Sequence, residues 1–111
     1  GAATTSGIGR VRDIRIGYLD GEGVYQTQEY ADSMELLSTQ GNLAPGPDGP
    51  FSHIHVVLSD DDHVVQGGHL FHATVHVTAE LHLRVLDSGS EAMRRESTAS
   101  EFMALSFCAV E

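Results

Sequence analysis

The sequence lacks lysine altogether, and its six basic residues, all arginine, are outnumbered by sixteen acidic residues. The formal net charge of the 111-residue chain is therefore −10. A small domain with this charge repels phosphate backbones at long range. The composition disfavours nucleic-acid binding through the general surface.

Cysteine and long apolar runs are also scarce. The single cysteine, Cys108, cannot form an internal disulfide, and its apolar surroundings, FMALSFCAV, predict a buried thiol. No apolar run approaches the ~20 residues of a membrane-spanning helix. The first residues, GAATTSGIGR, lack the basic and apolar parts of a signal peptide. These absences predict a cytoplasmic protein with no membrane association.

The clearest structural pattern lies between residues 70 and 86, which read LFHATVHVTAELHLRVL. From Phe71 to Val85, apolar and polar side chains alternate without interruption. Strict alternation with a period of two is typical of a strand with one apolar and one polar face. We therefore predict a long strand here, with its apolar face buried.

Two segments before residue 44 are predicted strands, and a third is ambiguous. Residues 10–19 and 23–30 flank the turn at Asp20–Gly23, which predicts a hairpin. Residues 31–43 fit a strand or a short helix. Residues 44–50, APGPDGP, contain all three prolines and are predicted to form a loop.

Further strands are predicted after this loop. Residues 52–59 form a strand, followed by a tight turn and a short hairpin partner that ends at Gly68. Residues 87–100 are predicted to be a loop, and residues 101–110 a last strand. Helix is scarce, so the apolar face of the sheet needs a helix or another subunit to cover it.

Six of the seven histidines fall between residues 53 and 76. His53 and His55 lie two apart on a predicted strand and share a face, where two imidazoles can reach one metal ion. His69 follows Gly67 and Gly68, which allow a sharp turn and a close approach of the backbone. Three histidines with an open coordination position suit zinc or another divalent metal.

Spacing alone leaves other interpretations of these histidines open. They could be ordinary surface residues, or they could act in acid–base or hydrogen-bonding roles. His72 and His76 are roughly 13 Å apart along a strand, too far to share an ion. Together with His82 they are predicted to face solvent or a subunit interface. His63 lies in an exposed acidic turn whose sequence does not match a calcium-binding loop.

Several motifs together resemble the plant- and prokaryote-conserved (PPC, or PCC) domain. They are GIGRVRDIRIGYLD, MELLSTQGNLA, the Pro-Gly loop, HIHVVLSDDDHVVQGGHL and a strand that carries Glu80. The resemblance runs from about Gly7 to Leu86 and is most specific at H-I-H and G-G-H-L. In plants this domain is joined to AT-hook DNA-binding motifs, whose Arg-Gly-Arg core is absent from this sequence, and in prokaryotes it stands alone.

The resemblance implies an α+β fold, mainly an antiparallel sheet with few helices, assembled as a homotrimer. Residues 1–111 would form one such domain, without the strand and helix that usually precede the GIG segment. The resemblance also implies a metal site near a subunit boundary, formed by His53, His55 and His69. Glu35 and Glu80 occupy family-typical positions and are expected nearby, as hydrogen-bond partners or bases.

The leading functional hypothesis is a trimeric, metal-binding domain of uncertain molecular activity. If the domain is an enzyme, metal-activated water with Glu35 or Glu80 as base would support hydrolysis or lyase chemistry on a small molecule. The alternative is a DNA-binding or transcription-associated module that uses Arg10, Arg12 and Arg15. Alternation predicts that Arg10 and Arg12 face one way and Arg15 the other. A purely structural trimer is the third option.

Overall fold

The computed structural model describes residues 1–86 and 93–107 and contains seven strands within them. The strands are β1 (Ala3–Leu19), β2 (Tyr25–Tyr30), β3 (Met34–Gly46), β4 (Gly49–Ser59), β5 (Val65–Val85), β6 (Arg94–Ser97) and β7 (Met103–Ser106). Within these ranges there is no helix, and so none that could cross a membrane. The few helices that the resemblance implied are therefore not found in the described part of the chain.

The main sheet has five strands in the order β2-β1-β3-β4-β5, and all of its pairings are antiparallel. Strand β1 also pairs with β5, so that β1, β3, β4 and β5 close into a ring. Strands β6 and β7 form a separate two-stranded sheet. This hairpin packs against the outer side of β3, where Met93 and Ala44 share a small apolar cluster.

The main core lies inside the ring of strands. Its members are apolar residues of β1, β3 and β4, spaced by two except across Asp13: Val11, Ile14, Ile16, Met34, Leu36, Val56 and Leu58. Ile14 and Leu58 are the most deeply buried of them. Burial of this face accounts for the alternation that the sequence displays on these strands.

Replacing Leu58 with alanine is expected to lower the free energy of unfolding by about 2–5 kcal/mol, because the side chain is 1% exposed and its loss leaves a cavity. Urea denaturation followed by circular dichroism measures this change. Leu37→Ala is the matched control, since Leu37 is 46% exposed and its truncation should cost less than about 0.5 kcal/mol. Equal losses for the two variants would contradict the assignment of the core.

Several sequence predictions are confirmed by these strands. The first hairpin has its turn at Asp20–Gly23, and the Asp20 carboxylate accepts hydrogen bonds from the backbone N–H groups of Glu22 and Val24. Asp60 organises the turn between β4 and β5 in the same way. The ambiguous segment 31–43 belongs largely to strand β3 rather than to a helix.

The loop predicted over residues 44–50 is wrong for most of its length. Pro45 lies opposite Pro50, and Gly46 lies opposite Gly49, so β3 and β4 continue to a tight turn at residues 47–48. Prolines are tolerated here because the end of a hairpin leaves positions without ladder hydrogen bonds. Part of the loop predicted over 87–100 is strand β6. Cys108 and residues 87–92 lie outside the described part of the chain.

The predicted long strand is confirmed as β5, but its apolar residues do not share one buried face, since Phe71 contacts Tyr25 and His69 whereas Ala73 packs against the core. Val75, Leu81, Leu83 and Val85 are each more than half exposed. Val75 and Leu81 also border an apolar cavity of about 190 Å³ that opens from the core. The expected burial of this face is therefore not achieved within one chain.

Strand β1 contains an irregularity at Asp13, whose φ is +49°. The next buried apolar residue after Val11 is accordingly Ile14, three positions later instead of two. The extra residue places Arg15 on the same side as Arg10 and Arg12, so the predicted division of the three arginines is wrong. The spacing of Val11 and Ile14 in the sequence was the signal for this bulge.

Candidate metal centre

Strands β4 and β5 bring three histidines together on the outer side of the sheet. His55 lies directly opposite His69, and His53 lies two residues along the same face of β4. Directly opposed residues on antiparallel strands project to the same side of a sheet. The ring centroids are 4.9–5.5 Å apart. We call His53, His55 and His69 the histidine triad.

The spacing of the imidazole nitrogens fits a shared metal ion. Each residue of the triad offers a ring nitrogen, and these atoms all lie within 4.8 Å of one another. The Nε2 atoms of His53 and His55 are 3.2 Å apart. Two nitrogens bound to one zinc ion at tetrahedral geometry are separated by about 3.3 Å, given zinc–nitrogen bonds of ~2.0–2.1 Å. The donor set therefore suits zinc or a similar divalent metal.

Gly67 and Gly68 place His69 by close packing rather than by a sharp turn. Both glycines lie within β5 in extended conformation, so the predicted turn is wrong. A Cβ atom on Gly67 would lie 2.7 Å from the carbonyl oxygen of Val56, and one on Gly68 would lie 2.8 Å from that of Gly17. The predicted close approach of the backbone is thus confirmed, since β5 packs tightly against the backbones of both β4 and β1 immediately before His69.

Gly68→Ala is expected to lower the free energy of unfolding by about 1–3 kcal/mol, because the added methyl group meets backbone atoms of Gly17 that cannot move independently. Thermal or urea denaturation measures this loss. The control is Gly21→Ala, in a turn where an added Cβ has no atom within 4 Å and φ is not positive. A Gly68 variant as stable as the control would contradict the close packing.

Aromatic rings surround His69. The ring centroids of Tyr25 and Phe71 lie 4.8 Å and 4.6 Å from that of His69. Tyr25 comes from β2, and Phe71 lies two residues beyond His69 on the same face of β5. These rings shield one side of the triad from solvent and provide an apolar boundary.

The β6–β7 hairpin adds a buried cation near the triad. Arg95 is 3% exposed, and its guanidinium donates hydrogen bonds to Asn42 Oδ1 and to the carbonyl oxygen of Met103. Its Cζ atom also lies 5.8 Å from the centroid of the Phe51 ring. Asn42 is directly opposite His53 on β3, so Arg95 ties the hairpin to the strand pair that carries the triad.

Burial and positive neighbours keep two of the three imidazoles neutral. Burial lowers the pKa of His69 to about 4, with further contributions from His53, His55 and Arg95. The pKa of His53 is also lowered, first by burial and then by Arg95 and His55. A neutral imidazole is the form that binds a metal. The triad is therefore prepared for metal binding at neutral pH.

A cavity of about 420 Å³ opens beside His53 and His69. It is lined on other sides by Tyr25, Phe71 and residues of the segment that precedes β7, including Glu101. The Glu101 carboxylate accepts a hydrogen bond from the backbone N–H of Tyr25 at 2.8 Å. Neither Glu101 nor Arg95 is predicted from the sequence, because their proximity to the triad depends on packing between distant segments.

The structure does not bring Glu35 or Glu80 to the triad of the same chain. Glu35 lies opposite Ser59, four positions beyond His55 or roughly 13 Å along the strand, and its carboxylate is 3.1 Å from Arg10. Glu80 lies opposite Ile8, eleven positions beyond His69 on β5. A role for either glutamate at this site is a prediction that requires a neighbouring subunit.

The other histidines lie apart from the triad. His72, His76 and His82 are exposed along β5, as predicted for its polar face. His63 is exposed in the acidic turn, where its φ is +63°. Among residues 1–86 and 93–107, the histidine triad is the only group of three potential metal ligands close enough to hold one ion.

Known proteins provide independent evidence about this chain. Residues 1–87 match the model of the Plants and Prokaryotes Conserved (PCC) domain. No curated protein matches the sequence significantly.

Solved structures share the fold. A PPC protein from Pyrococcus horikoshii is 30% identical with a TM-score of 0.86, and the match covers 98% of this chain and 75% of that protein. A protein from Archaeoglobus fulgidus, described as metal-containing, is 35% identical with a TM-score of 0.78, over 99% of this chain and 74% of that protein. A proposed DNA-binding protein from Ralstonia eutropha has a TM-score of 0.80, over 96% and 74%, but its 22% identity supports similarity of fold alone. The chain belongs to the Plants and Prokaryotes Conserved (PCC) domain family.

Proposed function

We propose that this domain is a homotrimer that binds a divalent metal ion, zinc being the leading candidate, and presents it to a small-molecule ligand. The convergence of three imidazole nitrogens within 4.8 Å carries this proposal. The metal-containing relative from Archaeoglobus fulgidus supports it, since it is 35% identical over almost the whole chain. The neutral state of His53 and His69 supports it further.

Three protein ligands leave a coordination position for water or a ligand, as in catalytic zinc sites. A bound divalent ion supplies Lewis acidity, which polarises a carbonyl or lowers the pKa of water. The protein contributes three other elements. The triad holds the ion, Tyr25 and Phe71 limit access of water on one side, and Glu101 places a carboxylate at the wall of the adjacent cavity.

Glu101 lines the cavity beside the triad and is the carboxylate that we propose for proton transfer within one chain. Its hydrogen bond to the backbone N–H of Tyr25, whose ring lies 4.8 Å from that of His69, holds the solvent-exposed Glu101 at the wall of the cavity. Glu35 and Glu80 are proposed for this role only across a subunit boundary. Hydrolysis or lyase chemistry is the class of reaction that this combination of groups supports.

The proposal is tested by metal analysis of untagged protein with inductively coupled plasma mass spectrometry. About one ion per chain is expected after desalting. Protein that remains metal-free after incubation with zinc would overturn the proposal, and the triad would then be a group of ordinary polar residues.

DNA binding is the second candidate, and it rests on analogy with distant relatives of the same fold. Arg10, Arg12 and Arg15 share one side of β1, which favours this candidate, but Arg10 lies within 3.5 Å of carboxylates of Glu35 and Asp61, and Arg12 pairs with Asp13. Neutralised arginines on a chain of charge −10 provide little attraction for phosphates.

We therefore expect no retention of duplex DNA in a gel-shift assay at low salt, and no change when the salt concentration is raised. Binding through phosphates weakens steeply with salt, so retention that disappears at higher salt would restore the DNA-binding candidate.

A further inference from the structure

The cavity beside the triad has the size of a small-molecule site. Its volume of about 420 Å³ lies within the range of ~300–1,000 Å³ that is usual for ligand pockets. His53 and His69 line one part of it. A molecule that fills the open coordination position of a bound ion would therefore extend into this space.

The walls of the cavity are largely aromatic. Tyr25, Phe51, Phe71 and Phe102 all line it. The rings of Tyr25 and Phe71 meet edge to face, with centroids 5.1 Å apart at 79°. Aromatic groups prefer such offset or edge-to-face contacts with another ring, which adds to the gain from burying apolar area. The walls thus favour a flat apolar group.

The charges around the cavity favour an anionic head group. Three neutral imidazoles leave the full charge of a bound divalent ion uncompensated. Arg95 adds a second positive charge behind Phe51. Glu101 offsets only part of this charge, and its carboxylate is engaged by the backbone N–H of Tyr25. A single carboxylate on the ligand would balance the site further.

A hydrogen-bonded segment, residues 98–103, holds the outer wall in place. The Thr98 hydroxyl donates to the carbonyl oxygen of Phe102 at 2.6 Å, and the backbone N–H of Phe102 donates to Ser100 Oγ at 3.2 Å. The backbone N–H of Glu101 donates to the carbonyl oxygen of Gly23 at 2.9 Å, which anchors the segment to the first hairpin turn. These hydrogen bonds to the backbone of Phe102 and Glu101 therefore hold the Phe102 side chain at the wall of the cavity.

This wall lies outside residues 1–87, the part of the chain that matches the family model. The triad, in contrast, lies within that part. The metal ligands and the wall that contacts a ligand thus come from different parts of the chain. Substitutions in residues 98–103 can therefore change which ligand is bound without any change in the triad.

The geometry points to a binding site for a small aromatic carboxylate, with its ring between Phe51, Phe71 and Phe102 and its carboxylate at the triad. This assignment rests on the proposed metal site and adds the chemical class of its ligand. Phe102 acts as a specificity residue, because it contributes to the apolar wall without being a metal ligand.

The test is isothermal titration calorimetry of zinc-loaded protein with benzoate, cyclohexanecarboxylate and acetate, with metal content measured on the same samples. Benzoate is expected to bind about tenfold more tightly than acetate and more tightly than cyclohexanecarboxylate, because only benzoate carries an aromatic ring. Phe102→Ala should bring benzoate close to acetate, while the metal content stays at about one ion per chain.

Two further variants make the result specific. Phe107→Ala removes the same side chain from an exposed position near the end of the same hairpin and should leave benzoate binding unchanged. Phe102→Leu keeps an apolar side chain, protects folding, and should abolish the preference for benzoate over cyclohexanecarboxylate. Metal-loaded protein that binds benzoate and acetate equally would overturn the ligand assignment alone, whereas protein that cannot be loaded with zinc would overturn both proposals.

Discussion

His53→Ala is expected to reduce the metal content from about one ion per chain to less than about a tenth of that value. His53 lies beside His55 with their Nε2 atoms 3.2 Å apart, so its loss removes one of three converging ligands. Loss of an outer-shell partner already weakens metal affinity by roughly ten- to a hundredfold, and loss of a direct ligand should cost more. Mass spectrometry of desalted protein measures the effect.

His76→Ala is the matched control for this variant. His76 is an exposed histidine of β5, the strand that also carries His69, but it is not part of the triad. Its replacement should leave the metal content unchanged, and circular dichroism should show that both variants fold. If His53→Ala retains its metal, or if both variants lose it equally, the triad is not the metal site.

The pair His53 and His55 could be predicted because its spacing is local in the sequence. His53 and His55 share a strand face through the period of two, and this pattern needs no tertiary information. The addition of His69 depended on the resemblance to the PPC domain and on the neighbouring glycines. The register of β4 and β5 then places His69 opposite His55.

Arg95, Glu101 and Phe102 could not be predicted, because no local pattern links them to the triad. They approach it through the hydrogen bond from Arg95 to Asn42 and the anchoring of Glu101 to the first hairpin. These contacts join residues more than 50 positions apart in the chain. The polar composition of residues 87–100 predicted a loop, although residues 94–97 form strand β6 of the hairpin.

The wrong predictions on strands have a common cause. Composition dominated the interpretation of residues 44–50, although Pro45 and Pro50 can face each other at the end of a hairpin. In β1, strict alternation was extended through Asp13, where the chain inserts an extra residue. In both places a single backbone irregularity or turn outweighed the average preference of the residue types.

The apolar residues of β5 link the fold to the proposed trimer. Val75, Val77, Leu81, Leu83 and Val85 are between 57% and 85% exposed in the isolated chain. Exposed apolar patches of this kind mark interaction surfaces in stable proteins. The strict alternation that predicted a buried face is explained if a second copy of the chain covers these residues in the homotrimer.

Leu81→Asp is accordingly expected to convert the proposed trimer into a single chain of 11.9 kDa. Leu81 is 63% exposed in the isolated chain, so a carboxylate there faces water in the monomer but would lose its hydration inside an apolar interface. Burial of an unpaired charge is costly enough to prevent assembly. Size-exclusion chromatography with multi-angle light scattering measures the mass directly.

The matched control is Val64→Asp, which adds the same charge at a 52% exposed apolar residue next to the β4–β5 turn. This variant should keep the mass of three chains, because the turn lies away from the apolar stretch of β5. A Leu81→Asp protein that also keeps this mass would place the subunit boundary elsewhere. A monomeric Leu81→Asp protein that still binds about one metal ion would show that the triad needs no neighbouring subunit. A catalytic role for Glu35 or Glu80 across the subunit boundary is then tested by comparing the activity of the trimer with that of the monomeric variant.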